Sequence, residues 1–386
     1  MRTTYIPFLH AKKGEFSALR HATKEQRATM LPLFDIGLFT NKLRESPRYR
    51  NEAAPTCAYL ECIADGIVDA TSGPVMVDTS QWPAEEVTET GEVAIAYAVQ
   101  ALLERGQAVV PVVGLDRWDS EEYREAMAAL DVDEESTWAL RLDSSDIEDA
   151  ADPIHFMERI EDVTRELGLR ASQLGILIDF GDVTGQTRES LIAQADLVLR
   201  LLGPAGYQFY AVAGCSMPST IDKALKKRNT EGTLLRKEMR AWHRLREMHP
   251  HLPLAFGDYG VRGPRTSDIQ NPNTNGKIRH SIQNNFYIVR GEPRRKGDGQ
   301  MHRLANIVAS SEHFQGPQFS WGDRELYRRA MREDIGKRKP KIIGGGGSTE
   351  WIAFDTNHHF AWVQLEVAAV EHALKAVPVE VVIPGW

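Results

Sequence analysis

Short apolar runs that end in polar residues recur along the chain. Eight of them lie at residues 5–10, 30–35, 74–78, 108–113, 138–143, 175–179, 209–213 and 254–258. Runs of this length without polar alternation are typical of strands buried on both faces, as in a parallel sheet covered by helices. Segments long enough for a helix lie between most of them. The pattern therefore predicts an α/β fold, a (β/α)8 TIM-like barrel, with an open doubly wound sheet as the alternative.

The segments between the runs carry helix signals. Asp152 followed by Pro153 is typical of an N-cap and a first helical residue, and we expect this helix to end near residue 167. Thr187 is the expected cap of the next helix. Residues 233–248 are predicted as one longer helix, and residues 359–375 as the helix that closes the barrel.

A long stretch separates the eighth run from this closing helix. We interpret residues 262–357 as an inserted basic region within a single domain of residues 1–386, and it contains a further predicted strand at 285–290. Residues 223–341 carry 26 lysines and arginines against 12 aspartates and glutamates, whereas the rest of the chain carries 20 against 42. This segregation favours an anionic partner for the basic region, unless basic and acidic regions neutralise each other within the fold.

Aspartates stand at the ends of the predicted strands. They are Asp35, Asp78, Asp116, Asp143, Asp179 and Asp258. In a parallel barrel these ends converge on one mouth, where active sites lie. Converging carboxylates repel one another unless a cation compensates their charge. One hypothesis is a Mg²⁺ or Mn²⁺ ion held by Asp35, Asp78 and Asp179. The other is a set of salt bridges to Lys12, Arg141 and Arg279. The competing interpretation of each aspartate is a helix cap or turn former.

Other polar residues are candidates for binding and chemistry. Lys12 follows the first strand, where a lysine can bind an anion or act as a base or nucleophile. Ser216 lies in a turn after the seventh strand that is predicted to open a helix and could bind a phosphate. Arg141 and Arg279 are candidate substrate-binding residues. The strand with Phe286 and Tyr287 could bind single-stranded nucleic acid, although burial of both aromatic rings is favoured.

Several function classes are excluded by missing motifs. The sequence has no Walker loop, HExxH, GxSxG or CxxC motif, which argues against P-loop NTPases, zincins, nucleophile-elbow hydrolases and zinc ribbons. His358 and His359 are adjacent and cannot both bind one metal from a helix face, so packing or capping is favoured. No apolar run approaches a membrane span, no signal-peptide pattern is visible, and the three cysteines form no paired framework. We expect a cytoplasmic protein with no membrane partner.

Residues across the chain resemble the beta protein family of bacteria and their phages. The similar stretches are 5–7, 12–19, 31–36, Asp179, 214–218, 256–259, 278–279, 319–323 and 357–359. Asp35 departs from the family, because a glutamate is expected there in many relatives. The resemblance implies a single barrel-like domain and, from genomic context, a role in mobile elements or anti-phage defence. It also implies a pocket formed by Lys12, Asp35, Asp78, Asp179, Ser216, Asp258, Tyr259 and Arg279.

Three functions are consistent with these residues. The first is a barrel enzyme that acts on a nucleotide or nucleic acid, such as a metal-dependent phosphoester hydrolase. In it Asp78, Asp179 and Asp258 hold a metal or act as a general base, with Lys12 as a further catalytic candidate. Arg141, Ser216, Tyr259 and Arg279 bind substrate. The second is a non-catalytic subunit of a defence complex that binds nucleic acid or a protein partner. The third is a sugar or small-metabolite enzyme with paired carboxylates.

Overall fold

The architecture is a closed parallel barrel, as the apolar runs predict. The computed structural model describes residues 3–264, 274–293, 299–332 and 344–376. The barrel strands are β1 (Tyr5–His10), β2 (Leu33–Asp35), β3 (Val75–Asp78), β4 (Val109–Gly114), β5 (Trp138–Leu142), β6 (Leu174–Asp182), β7 (Phe209–Cys215) and β9 (Leu254–Asp258). They pair in parallel in chain order, and β9 closes the barrel against β1. The (β/α)8 barrel is confirmed, and the open sheet is excluded.

Helices surround the barrel. They are α1 (Lys13–Arg20), α2 (Lys24–Thr29), α3 (Asn41–Arg44), α4 (Pro55–Ala70), α5 (Ala94–Glu104), α6 (Glu121–Ala128), α7 (Ser144–Asp149), α8 (Pro153–Glu166), α9 (Arg188–Leu202), α10 (Ile221–Ala224), α11 (Lys237–Met248), α12 (Gln300–Ala309), α13 (Trp321–Met331) and α14 (Ser348–Ala376). The expected caps are present: Asp152 accepts a hydrogen bond from the backbone N–H of His155, and Thr187 accepts one from Ser190. None of the helices in the described ranges is both long and apolar enough to cross a membrane.

The barrel strands alternate between two apolar layers. In β3, for example, Met76 packs inside the barrel, whereas Val75 and Val77 pack against the surrounding helices. Both faces of each strand are therefore buried, which explains why the sequence shows uninterrupted apolar runs. The alternation also decides which polar side chain at a strand end faces the mouth.

A small antiparallel sheet covers the mouth of the barrel. Its strands are β8 (Thr230–Leu235), β10 (Asn275–Ile282) and β11 (Asn285–Pro293), in the order β10–β11–β8. Phe286 and Ile288 on its inner face belong to the same buried apolar cluster as the barrel interior. Its outer face packs against α12, α13 and the start of α14. We refer to β8, β10 and β11 as the capping sheet.

The capping sheet accounts for the main differences from the sequence expectations. The segment predicted as one helix over 233–248 divides into β8 and α11, because Thr230, Gly232 and Leu234 alternate onto the inner face of the sheet. Residues after Ser216 do not open a helix directly, since α10 begins only at Ile221. The closing helix begins at Ser348 rather than 359. Phe286 and Tyr287 are both buried, which is the favoured interpretation of that strand.

Candidate active site

Five polar side chains meet at the carboxyl ends of the barrel strands. They are Asp35, Asp78, Arg141, Asp179 and Tyr259. Asp35 stands two residues after the inward-facing Leu33, and Asp78 two residues after Met76, so strand alternation directs both carboxylates inward. The same spacing places Arg141 after Ala139 and Asp179 after Leu177. All five side chains are buried beneath the capping sheet. We refer to this set as the strand-end network.

Arg141 lies at the centre of the strand-end network. Its Nη1 donates to Asp78 Oδ2 at 2.7 Å, and its Nη2 donates to Asp179 Oδ2 at 2.7 Å. Nη1 also lies 3.5 Å from Asp35 Oδ2, and Nη2 donates to Tyr259 Oη at 2.9 Å. The guanidinium stacks over the ring of Phe8, with its carbon 5.3 Å from the ring centroid. One planar cation therefore holds three buried carboxylates together.

Arg117 is a second cation of the network, and sequence reasoning missed it. Its Nη1 donates to Asp78 Oδ1 at 2.8 Å, and its side chain is buried. Gly114 makes this possible, because a Cβ at that inward position of β4 would overlap the guanidinium. Burial alone would raise the pKa of Asp78, but the charges of Arg117 and Arg141 outweigh it and lower the pKa. The only signals in the sequence are the inward glycine and an arginine next to Asp116.

Asp35 differs from Asp78 in its electrostatics. Burial raises the pKa of Asp35 to about 6, with a further increase from the charge of Asp78, although Arg141 opposes the shift. Ser80 Oγ lies 2.9 and 2.8 Å from the two carboxylate oxygens of Asp35 and is half-buried, so it connects this carboxyl group to the solvent side. Neighbouring carboxyls with pKa values pushed apart are typical of acid–base pairs. Ser80 was also missed, although it lies only two residues beyond Asp78.

Asp258 does not join the other strand-end aspartates. It follows the inward-facing Gly257, so its side chain points out of the barrel towards α14. There it accepts hydrogen bonds from Tyr5 Oη at 2.8 Å and from the backbone N–H of Gly260 at 3.0 Å. His359 Nε2 lies 2.7 Å from its second oxygen, and Ser281 Oγ lies 2.6 Å from His359 Nδ1. All these side chains are buried, so this chain of contacts joins β9, α14 and β10.

The other predicted residues lie around the rim of the mouth. Lys12 is the N-cap of α1, within electrostatic reach of His10 and Glu15. Ser216 donates to Glu238 and accepts from the backbone N–H of Lys237 at 2.9 Å, so it caps α11. Arg279 donates from Nε to Asp355 at 3.1 Å and from Nη1 to the carbonyl of Val261 at 2.7 Å. The hydrogen-bond partners of Ser216 and Arg279 named here therefore lie outside the strand-end network.

Two stretches that carry the family resemblance pack against each other. Asn357 Oδ1 accepts from the backbone N–H of Gly322 at 2.9 Å, and His358 Nδ1 lies 2.9 Å from Asp323 Oδ2. Donor atoms of His280, Asp323 and His358 lie within 4.8 Å of one another, close enough to consider a metal site. The imidazoles of His280 and His358 are stacked, however, with centroids 3.7 Å apart and planes 16° apart. Because a metal lies in the plane of each ligating imidazole, one ring would have to rotate for both to bind.

The Mg²⁺ or Mn²⁺ expected at Asp35, Asp78 and Asp179 stays a prediction. Arg141 lies within hydrogen-bonding distance of an oxygen of each of these carboxylates. Arg117 occupies the second oxygen of Asp78. A divalent ion would therefore have to displace guanidinium contacts to bind these carboxylates.

Comparison with known proteins identifies the family but no activity. The family model described as Beta protein matches residues 5–364. No curated protein matches the chain.

Proposed function

The chain belongs to the Beta protein family, and we propose that it is a barrel enzyme acting on a phosphate-containing substrate, a nucleotide or a nucleic acid. The proposal rests on the strand-end network, which together with Arg117 gathers three carboxylates, a tyrosine and two arginines at the mouth of the barrel. Active sites of (β/α)8 barrels are built at this end of the strands. A role in anti-phage defence or mobile elements stays a prediction.

Asp35 is the proposed acid–base residue. A carboxyl group with a pKa of about 6 can both accept and donate a proton near neutral pH, which general acid–base catalysis requires. Ser80 is the half-buried partner through which a proton of the substrate or of an attacking water reaches Asp35. Asp78 and Asp179 are bound to Arg141 and position it. Their proposed role is to hold the network in place rather than to transfer protons.

The test is turnover by an Asp35→Asn variant. The purified protein would be assayed against nucleoside mono-, di- and triphosphates and single-stranded oligonucleotides, with and without Mg²⁺ or Mn²⁺, for release of phosphate or cleaved product. We expect Asp35→Asn to lower kcat about 100-fold or more, because the amide keeps the shape of the side chain but cannot exchange a proton. Asp179→Ala is a weaker test, since it leaves Arg141 without a buried partner and threatens the fold.

The matched control is Asp69→Asn, which changes an exposed carboxylate paired with Arg20 on the outside of the barrel. This variant should retain full activity. Equal turnover by Asp35→Asn and the native protein would contradict the role of Asp35. If no substrate in the panel is turned over or bound, the enzyme proposal itself fails.

One observation favours binding of nucleic acid or an acidic protein as a second function. Lys226, Lys227 and Arg228 are exposed side by side just before the edge strand β8. A cluster of this kind can bind phosphates without any contribution from the strand-end network. Binding that is unchanged in Asp35→Asn would favour a recognition subunit over an enzyme.

A further inference from the structure

The inner face of the capping sheet carries a group of cations above the barrel mouth. Lys277 and Arg290 are direct partners in the register of β10 and β11, which places their side chains on the same face. Arg279 lies two residues further along β10 on that face and reaches the carbonyl of Val261, in the loop after β9. Arg262 of the same loop lies within electrostatic reach of Lys277. The group therefore faces the barrel rather than the outer surface of the sheet.

Two of these cations lack a carboxylate partner within the described ranges. The ammonium of Lys277 has no hydrogen bond or ion pair there, although the residue is half-buried. Arg290 donates to the carbonyls of Leu225 and Lys226, which satisfies donors without neutralising the charge. Arg279, by contrast, has Asp355 as a counter-charge. Buried or half-buried cations without a counter-charge are costly, and binding of an anion would offset that cost.

The electrostatics of Lys277 agree with this geometry. Burial and the charges of Arg279 and Arg262 lower its pKa to about 8, and the charges of Asp355 and Asp222 only partly oppose the shift. At neutral pH the amine is therefore mainly charged but held in an unfavourable environment. A bound anion would relieve this and raise the pKa towards its ordinary value.

We propose that Lys277 and Arg290 bind the terminal phosphate group of a small ligand between the capping sheet and the barrel mouth. A small ligand is favoured over a nucleic-acid strand because Arg279 and Arg290 are 6% and 5% exposed, whereas a polymer backbone needs an open basic groove. The binding site stands on the geometry of these cations, and only the statement that its ligand is a substrate rests on the proposed function. Of the two proposed substrate classes, nucleotides and nucleic acids, this site favours nucleotides.

The experiment measures thermal stability with inorganic pyrophosphate, a nucleoside diphosphate and a single-stranded oligonucleotide as separate probes. A ligand that binds the native state raises the melting temperature by mass action. We expect pyrophosphate and the diphosphate to stabilise the native protein, and Lys277→Met to weaken the apparent affinity at least tenfold, since it removes a charge-assisted hydrogen bond. Lys223→Met, at an exposed lysine of α10, is the matched control and should bind as the native protein does.

A second measurement needs no variant. Sulfate keeps its charge from pH 7 to 9.5, whereas Lys277 loses its proton over this interval, so the stabilisation of the native protein by sulfate should decline. The same series on Lys277→Met separates this decline from the general salting effect of sulfate. Equal responses of the native protein and Lys277→Met to pyrophosphate would overturn the site, and so would stabilisation by the oligonucleotide alone. Because binding is read without turnover, an inactive protein that still binds pyrophosphate through Lys277 refutes only the proposed function.

Discussion

Arg141 is the residue on which the strand-end network depends. It joins Asp78, Asp179 and Tyr259 through hydrogen bonds of 2.7 to 2.9 Å in a buried environment. We predict that Arg141→Met destabilises the protein by about 3–5 kcal/mol, because the buried carboxylates of Asp35 and Asp179 lose their paired cation, whereas Asp78 keeps Arg117. Arg141→Lys should recover only part of this, since an ammonium cannot span several acceptors as a planar guanidinium does. Urea denaturation of both variants measures the difference, and a loss below about 1 kcal/mol for Arg141→Met would contradict the assignment.

The raised pKa of Asp35 makes the stability of the protein depend on pH. In the unfolded chain this carboxyl group ionises near its ordinary value of 3.8, whereas in the folded protein it ionises near 6. The folded state therefore binds more protons between these values, and Asp35 becomes increasingly destabilising as the pH rises through this window. The difference corresponds to about 3 kcal/mol above pH 6. Asp35→Asn should gain stability relative to the native protein from pH 4 to 7 in urea titrations, and a constant difference would contradict the shift.

For single residues, the sequence predicts the direction in which a side chain points better than it predicts the partners of that side chain. Strand alternation was sufficient to direct Asp35, Asp78, Arg141 and Asp179 into the mouth. The same alternation directs Asp258 outward, because Tyr259 is the residue that faces into the barrel. An uninterrupted apolar run does not show which of the two neighbouring residues faces inward. Arg117 ends a three-residue 3₁₀ helix, Leu115–Arg117, directly after β4, so the alternation of the strand does not give the direction of its side chain.

Helix α14 is the element that joins the barrel to the capping sheet. Asn357 on this helix donates to the carbonyl of Ala18 in α1 at 2.9 Å and accepts from Gly322 in α13. We predict that Asn357→Ala costs about 2–5 kcal/mol, because it leaves two buried backbone groups without partners. Asn306→Ala, at an exposed position of α12, is the control and should change stability by less than about 0.5 kcal/mol. Chemical denaturation measures both, and equal stabilities would show that α14 is held mainly by apolar packing.

Helices and strands were predictable from the sequence where the local pattern of residues matches the structure that the segment adopts in the fold. Asp152 and Thr187 cap α8 and α9 as expected, because capping depends on residues a few positions apart. β8 was missed because Arg236 to Met248 continue with a strong helical pattern, and the preceding strand is stabilised by its partner β11, far along the chain. A pairing of this kind is a tertiary contact, and no local window contains it.

At the scale of the whole molecule, α14 neutralises part of the charge segregation along the chain. Arginines of the basic stretch pair with acidic residues of this helix in four places: Arg236 with Glu366, Arg246 with Glu371, Arg279 with Asp355, and Arg329 with Glu350. The sequence offered two alternatives for the basic region, an anionic partner or neutralisation within the fold, and the ion pairs with α14 show neutralisation of part of it. These four arginines stabilise the contact between α14 and its neighbours. Among the described residues, the cations proposed for an anionic partner are the exposed cluster before β8, in which Arg228 also pairs with Glu292 at 3.5 Å, and the inner-face pair of the capping sheet.

This division of charges limits how the protein can bind nucleic acid. With Lys226, Lys227 and Arg228 as the exposed cluster, a single strand would make about three phosphate contacts, and the slope of log K against log salt would be about −2. Lys226→Glu combined with Lys227→Glu should abolish this binding, while turnover that depends on Asp35 and pyrophosphate binding through Lys277 stay unchanged. Fluorescence anisotropy across a salt series measures the slope. A much steeper slope would mean that arginines paired with acidic residues of α14 are released on binding, in which case the contacts between α14 and its neighbours must open.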